Sequence, residues 1–272
     1  MTPISLHAAD GSSCTAYNHG AQLTSWITPD GIERLYLSPR AEFGPGKAIR
    51  GGVPVIFPQF AGLGPLPRHG FARTHAWRRE RAEVNSDGRI HLRYALHDDE
   101  HTRALWPYAF ECLLDIAGSG YELELTLSVH NSGGTSFAFT VALHSYFRVT
   151  DIARAGITGL AGLTYRDSAA AGAMGQESAE RLTFAGEVDR LYLEVRKPLR
   201  LETGRDVLEI EQGGFRDVVV WNPGPAKGVL LTDLEPAGWH RFVCIEAAQV
   251  EQPVILAPGA RWHGWQRVRV PR

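Results

Sequence analysis

The sequence predicts an all-β protein: a large antiparallel β-sandwich with few short helices, organised as a single domain over residues 1–272. Three observations carry this reading. Apolar and polar side chains alternate with period two through several segments. Gly- and Pro-containing turn signals separate those segments. Helical periodicity is sparse.

The clearest strand is Tyr121–His130 (YELELTLSVH), where Tyr121, Leu123, Leu125, Leu127 and Val129 share one face. Glu122, Glu124, Thr126, Ser128 and His130 share the other, as expected of a half-buried strand whose successive side chains point to opposite sides. Arg89–Leu96 behaves likewise through Ile90, Leu92, Tyr94 and Leu96. Val218–Trp221 and Phe242–Ile245 read as short apolar strands. Turns are signalled at Pro29-Asp30-Gly31, Ser86-Asp87-Gly88, Gly118-Ser119-Gly120, Gly133-Gly134, Gly213-Gly214, Pro223-Gly224 and Pro258-Gly259. Many short strands punctuated in this way indicate a sandwich or barrel. One helix is expected over Asp98–Leu105, capped by Asp98 or Asp99 and ended by Pro107. The stretch Ala169–Gly175 (AAAGAMG) reads as a loop.

With 44% hydrophobic and 21% charged residues, the chain has an ordinary globular balance. Its length allows a large core without disulfides. The formal net charge of −2 speaks against nucleic-acid binding, yet leaves room for a locally basic pocket. Cys14, Cys112 and Cys244 are widely spaced and odd in number, which argues against a disulfide framework or zinc site and for a reducing compartment. The opening residues MTPISLHAADGSS do not read as a signal peptide, and no apolar run reaches membrane length. The expectation is a cytoplasmic monomer with no membrane partner. P-loop, dinucleotide-binding, zinc-protease and nucleophile-elbow signatures are absent.

Three segments could carry chemistry. Arg50–Trp77 is too rich in Gly and Pro for regular structure and reads as a structured loop holding Arg50, Arg68, His69, Arg73 and His75. Phe137–Val149 reads as a continuous strand. Phe137, Phe139, Val141, Leu143 and Phe147 line one side; Thr140, Ala142, His144 and Tyr146 line the other, with small neighbours leaving room over His144. In Arg241–Ala247 (RFVCIEA), Glu246 shares a face with Phe242 and Cys244, while Val243 and Ile245 point away. A carboxylate in an apolar strand is either paired, for example with Arg241, or a base with a raised pKa. A lone histidine is equally consistent with a packed core residue. Asp189-Arg190 and Arg216-Asp217 could be ion pairs at strand ends.

Taken in order, the blocks IRGGVPVIFPQFAG, PRHGFARTHAW, ALHSYFRVTDI, VDRLY, DVVVWNP, RFVCIEAA and PVILAPGARWHGWQRV span nearly the whole chain. Together they resemble the hexose-6-phosphate mutarotase branch of the aldose 1-epimerase (galactose mutarotase-like) family. The resemblance implies a sandwich with a concave sugar-binding face. It also implies exchange of α- and β-anomers of aldohexose phosphates such as glucose 6-phosphate, with no cofactor or metal. The family's catalytic histidine falls on His144 and its catalytic glutamate on Glu246. The phosphate-binding arginines fall on Arg50 and Arg73, and the sugar contacts on His69 and Asp189. The chain departs from the branch at Arg68, where an uncharged residue is usual; Arg68 is a candidate third cation. The competing readings are an aldose 1-epimerase for unphosphorylated sugars and a non-catalytic sugar-binding protein on the same scaffold.

The resemblance further implies a base–acid pair acting from opposite sides of the hemiacetal. On that expectation Glu246 has a raised pKa, and His144 is held protonated by its carboxylate neighbour.

Overall fold

Alternation along the chain becomes two large sheets with their apolar faces together. The computed structural model describes residues 2–271. One sheet has eight strands, in the order Ala173–Gln176, Thr164–Asp167, Val188–Tyr192, Asp217–Asn222, Phe242–Leu256, Phe137–Leu143 and Val55–Ile56, with Tyr146–Arg148 also paired to Phe242–Leu256. The other has nine: Arg181–Leu182, Gly156–Thr158, Leu199–Glu202, Val207–Gly213, Arg261–Arg269, Glu122–Asn131, Phe110–Ser119, Ile90–His97 and Arg78–Val84. A three-stranded sheet, Ile4–His7, Ser13–Ala16 and Leu23–Ile27, completes the β-structure.

The predicted parities hold. Leu123, Leu125, Leu127 and Val129 of one sheet meet Leu143, Val243, Ile245 and Ala247 of the other in one buried cluster. Burying such side chains contributes roughly 1.5–3 kcal/mol each. On the outer face of Glu122–Asn131, Glu124 accepts a hydrogen bond from Arg267 at 2.7 Å, and Glu122 one from Arg269 at 2.6 Å. These exposed cross-strand pairs add little stability but keep the polar face soluble.

The helix forms over Glu100–Leu105 with Asp99 as its cap. Asp99 Oδ1 accepts from Thr102 N at 2.7 Å, and Asp99 N donates to Thr102 Oγ1 at 2.8 Å, a reciprocal box. Asp98 instead accepts from Phe110 N at 2.9 Å.

Two expectations need correction. Ala169–Gly175 is only partly loop: after a turn at Ser168–Ala170, the strand Ala173–Gln176 pairs with Thr164–Asp167 at the sheet edge. Asp167 Oδ1 accepts from Ala169 N and Ala170 N, and left-handed Ala171 (φ 53°) and Gly172 (φ 80°) reverse the chain. Phe137–Val149 is not continuous either. Ser145 N bonds back to Leu143 O at 3.0 Å, while His144 N and Tyr146 N donate to Pro54 O and Gly52 O, each at 2.9 Å. This tight local turn interrupts the ladder at His144-Ser145.

Candidate functional site

The interruption leaves the register intact. Leu143 pairs with Ala247 before it and Tyr146 with Cys244 after it, so His144 falls opposite Glu246 on the neighbouring strand. Both side chains point away from the inter-sheet core. His144 Nε2 lies 3.2 Å from Glu246 Oε1, and the side chains are only 9% and 2% exposed. Among the described residues, Glu246 Oε2 has no hydrogen-bond partner. Arg241 does not pair with Glu246; its Nη1 donates to Thr150 O at 3.0 Å. The dyad therefore sits side by side on one sheet, rather than facing across a cleft.

The pair forms the floor of a pocket of about 660 Å³, which also draws in Arg50, Arg68, His69, Arg73 and Asp189. The seven residues to which the resemblance gave roles thus line one cavity; His75, from the same loop, lies outside it, with Nδ1 3.0 Å from Phe71 O. A cleft of about 750 Å³ beside Tyr36 and Arg148 contains neither His144 nor Glu246. Its polar lining offers no comparable acid–base pair, and the chemistry, not the size, selects the smaller pocket.

The Arg50–Trp77 segment builds one wall as a structured loop, with only Val55–Ile56 in a strand and a single turn of 3₁₀ helix at Ala72–Thr74. Close backbone approaches hold it. Gly52 (φ 62°) and Gly70 (φ 67°) sit where a Cβ would strike the carbonyls of Leu23 and Phe57. His69 itself has φ 69°, a sparsely populated conformation for a non-glycine residue and one that recurs at functional sites.

His69 Nδ1 accepts from Ala61 N at 3.3 Å. That fixes the tautomer: the proton resides on Nε2, which becomes a donor. Burial, then the charges of Arg73, Arg68 and Arg50, hold the His69 pKa down at about 3, so the ring is neutral at physiological pH. Its ring meets that of His144 edge-on at 5.9 Å.

Arg50 Nε donates to both carboxylate oxygens of Asp233 at 3.2 Å, and Nη1 donates to Tyr146 Oη at 2.9 Å. The Tyr146 ring stacks on His144 at 4.8 Å with an interplanar angle of 8°. Arg73 Nη2 donates to Arg68 O at 3.1 Å, while its buried Nε has no partner among the described residues. Burial lowers the Arg73 pKa to about 10, and it remains a cation. Asp189 lines the same pocket, while the adjacent Arg190 pairs with Glu177 at 2.9 Å on the other side of its strand.

The dyad's charges differ from expectation in one respect. Burial, reinforced by Asp189, raises the Glu246 pKa well above the usual carboxylate range, as anticipated. His144, however, is pushed down, first by burial and then by the nearby His69, Arg73 and Arg50. Both shifts disfavour the charged forms of the pair, so a proton shared between the two groups is favoured on the carboxyl.

Trp221, Lys227, Ser168 and Asp233 were not anticipated as site residues. Trp221, Lys227 and Ser168 line the pocket, and Trp221 packs edge-on to His144 at 5.9 Å. Tyr146, which parity places on the face of His144, is given no role by the sequence reading. Asp233 comes from a loop, Lys227 from the short helix Gly224–Gly228 and Ser168 from the turn Ser168–Ala170, with no local signature. Among the described residues, no group of three or more His, Cys, Asp or Glu side chains could hold a metal ion, and no helix is long and apolar enough to cross a membrane.

Fold and site place the chain among mutarotase-like β-sandwich proteins. The solved structure of a mutarotase-assigned protein (YeaD) from Salmonella typhimurium superposes with a TM-score of 0.88 at 31% identity, covering 96% of this chain and 88% of that one. The chain belongs to the aldose 1-epimerase family, whose sequence model matches residues 3–269. A relative from Cenchrus ciliaris, provisionally named a glucose-6-phosphate 1-epimerase, is 34% identical over 97% of this chain and 83% of its own length. One from Salmonella typhimurium with the same provisional name is 36% identical over 86% and 79%.

Proposed function

We propose that this protein is a mutarotase that interconverts the α- and β-anomers of glucose 6-phosphate or a related aldohexose 6-phosphate. The observation that carries the reading is the His144–Glu246 contact of 3.2 Å on the floor of a pocket that also holds Arg50, Arg68 and Arg73. The imidazole–carboxylate pair suits proton exchange at a hemiacetal. The guanidinium groups suit a phosphate, because their planar forks give bidentate, charge-assisted hydrogen bonds.

Anomer exchange requires a proton to leave the C1 hydroxyl and another to reach the ring oxygen as the C1–O5 bond breaks. Rotation about C1–C2 turns the aldehyde over, and the same transfers in reverse close the ring. Glu246 takes the first proton and His144 supplies the second; closure returns both to their starting forms. Atoms and charge balance without a cofactor.

The dyad's single proton makes this reversible. A protonated Glu246 beside a neutral His144 and an ionised Glu246 beside an imidazolium are tautomers of one state. Arg50 and Arg73 help to keep His144 neutral. A bound phosphate dianion offsets those cations and favours the imidazolium, the form that donates to the ring oxygen. His69 Nε2–H and Asp189 are suited to the sugar hydroxyls, and Arg68 adds a rim cation.

In this reading the working unit is a monomer. Three buried thiols suit the reducing cytoplasm. Polarimetry comparing glucose 6-phosphate with glucose tests the substrate class. Faster equilibration of the phosphate ester supports the proposal; equal rates on both would favour an enzyme for unphosphorylated sugars.

A further inference from the structure

The core side of the dyad carries an uncommon polar contact. Gln266 lies on Arg261–Arg269 of the nine-stranded sheet, yet its amide reaches across the apolar interior and is only 1% exposed. Ser145 Oγ donates to Gln266 Oε1 at 2.5 Å, and Gln266 Nε2 donates to Ile245 O at 3.0 Å. Ile245 N donates to Ser145 O at 3.1 Å, closing a three-bond ring. Ser145 and Ile245 are the chain neighbours of His144 and Glu246. The ring sits where the strand Phe137–Leu143 breaks; between the Leu143–Ala247 and Tyr146–Cys244 pairs the backbone joins the two strands through the Ile245 N–Ser145 O bond, and Gln266 adds the side-chain bridge.

We propose that Gln266, acting through Ser145 and Ile245, is a positioning residue that sets the His144–Glu246 separation for proton transfer. The inference rests on the mutarotase reading for its kinetic consequence, but not for its structural one. Successive residues of a strand point to opposite faces, so a bond that clamps Ser145 to Ile245 on the core side fixes His144 against Glu246 on the pocket side. The amide supplies the needed chemistry: one acceptor for the Ser145 hydroxyl and one donor for the Ile245 carbonyl. An apolar side chain of similar size would fill the volume. It would leave Ser145 Oγ and Ile245 O without that partner and let the two strands drift. Displacements of about 1 Å remote from the reacting atoms can cost on the order of 100-fold in rate.

The test is Gln266→Leu together with Ser145→Ala, each compared with wild type by anomer-exchange NMR on glucose 6-phosphate. The expected result is a kcat lower by roughly tenfold to a hundredfold with KM within about threefold, because the phosphate-facing arginines are untouched. The double variant should be no worse than the more impaired single variant, as both remove one ring of bonds. Gln266→Glu adds a pH signature: protonated, its carboxyl offers the same donor and acceptor, so kcat should approach wild type at acidic pH and fall as the carboxyl ionises. An independent readout is the ¹⁵N spectrum of the His144 imidazole in Gln266→Leu without substrate, expected to change. This readout stands even if the wild-type protein proves inactive, an outcome that would overturn the mutarotase reading instead. Unchanged kcat in folded Gln266→Leu, or an unmoved His144 spectrum, would overturn the positioning role. Should Gln266→Leu fail to fold, Ser145→Ala and Gln266→Glu decide by the same criteria.

Discussion

Asp233 grips Arg50 from behind, with both carboxylate oxygens 3.2 Å from the guanidinium Nε. The fork is thereby oriented before any ligand arrives, while Tyr146 Oη takes a second donor. Such preorganisation lowers the conformational entropy lost on binding. Asp233→Asn should therefore raise KM for glucose 6-phosphate several-fold and leave that for glucose nearly unchanged. Initial-rate polarimetry on both sugars provides the check, and equal effects would count against the clamp.

Arg73 should matter more, since its buried Nε is unpaired among the described residues. Hydrogen bonds to charged groups contribute about 1.5–3 kcal/mol each, or roughly 10- to 100-fold in affinity. Arg73→Ala is expected to raise KM for glucose 6-phosphate by about that factor and to spare glucose. A uniform rise for both would remove the phosphate assignment.

The same geometry predicts that ligand charge is felt by the dyad. Burial and the neighbouring basic groups hold His144 neutral in the free protein. A bound dianion cancels part of the Arg50 and Arg73 contribution, so the His144 titration midpoint should move upward. Imidazole NMR titrations with and without glucose 6-phosphate follow this directly. A downward or absent shift would contradict it.

Stability should carry a histidine signature on the acid side. The His69 pKa is about 3 in the folded chain against an ordinary 6.5, so between these values the unfolded state binds the extra proton. Acidification from pH 7 to pH 5 therefore weakens folding. His69→Asn should lose less of its urea midpoint over that interval than wild type does. Identical losses would show that His69 titrates normally.

Much of this was legible because strands reveal their faces through parity. Val243 and Ile245 enter the core while Glu246 faces the pocket, and Leu143 enters the core while His144 does not. Arg50, Arg68, His69 and Arg73 lie on an irregular loop where parity says nothing, and they and Asp189 were found through the ordered motif blocks. What could not be read depended on long-range contacts. The break at His144-Ser145 reflects the chain at Gly52–Pro54, and the strand after Ser168 reflects an edge that only tertiary structure supplies. Asp233 reaches Arg50 across 183 residues of sequence. The charge on His144 was misjudged because one nearby carboxylate is visible in a motif, whereas burial and three surrounding basic groups are properties of the assembled pocket.

Two-dimensional exchange NMR on glucose 6-phosphate at anomeric equilibrium, with catalytic amounts of wild type, His144→Ala and Glu246→Gln, tests the central claim most directly. The account predicts strong α–β cross-peaks with wild type and exchange slower by roughly 10²–10⁴-fold in each folded variant. Near-wild-type exchange in either variant would contradict it, as would wild-type exchange no faster than buffer.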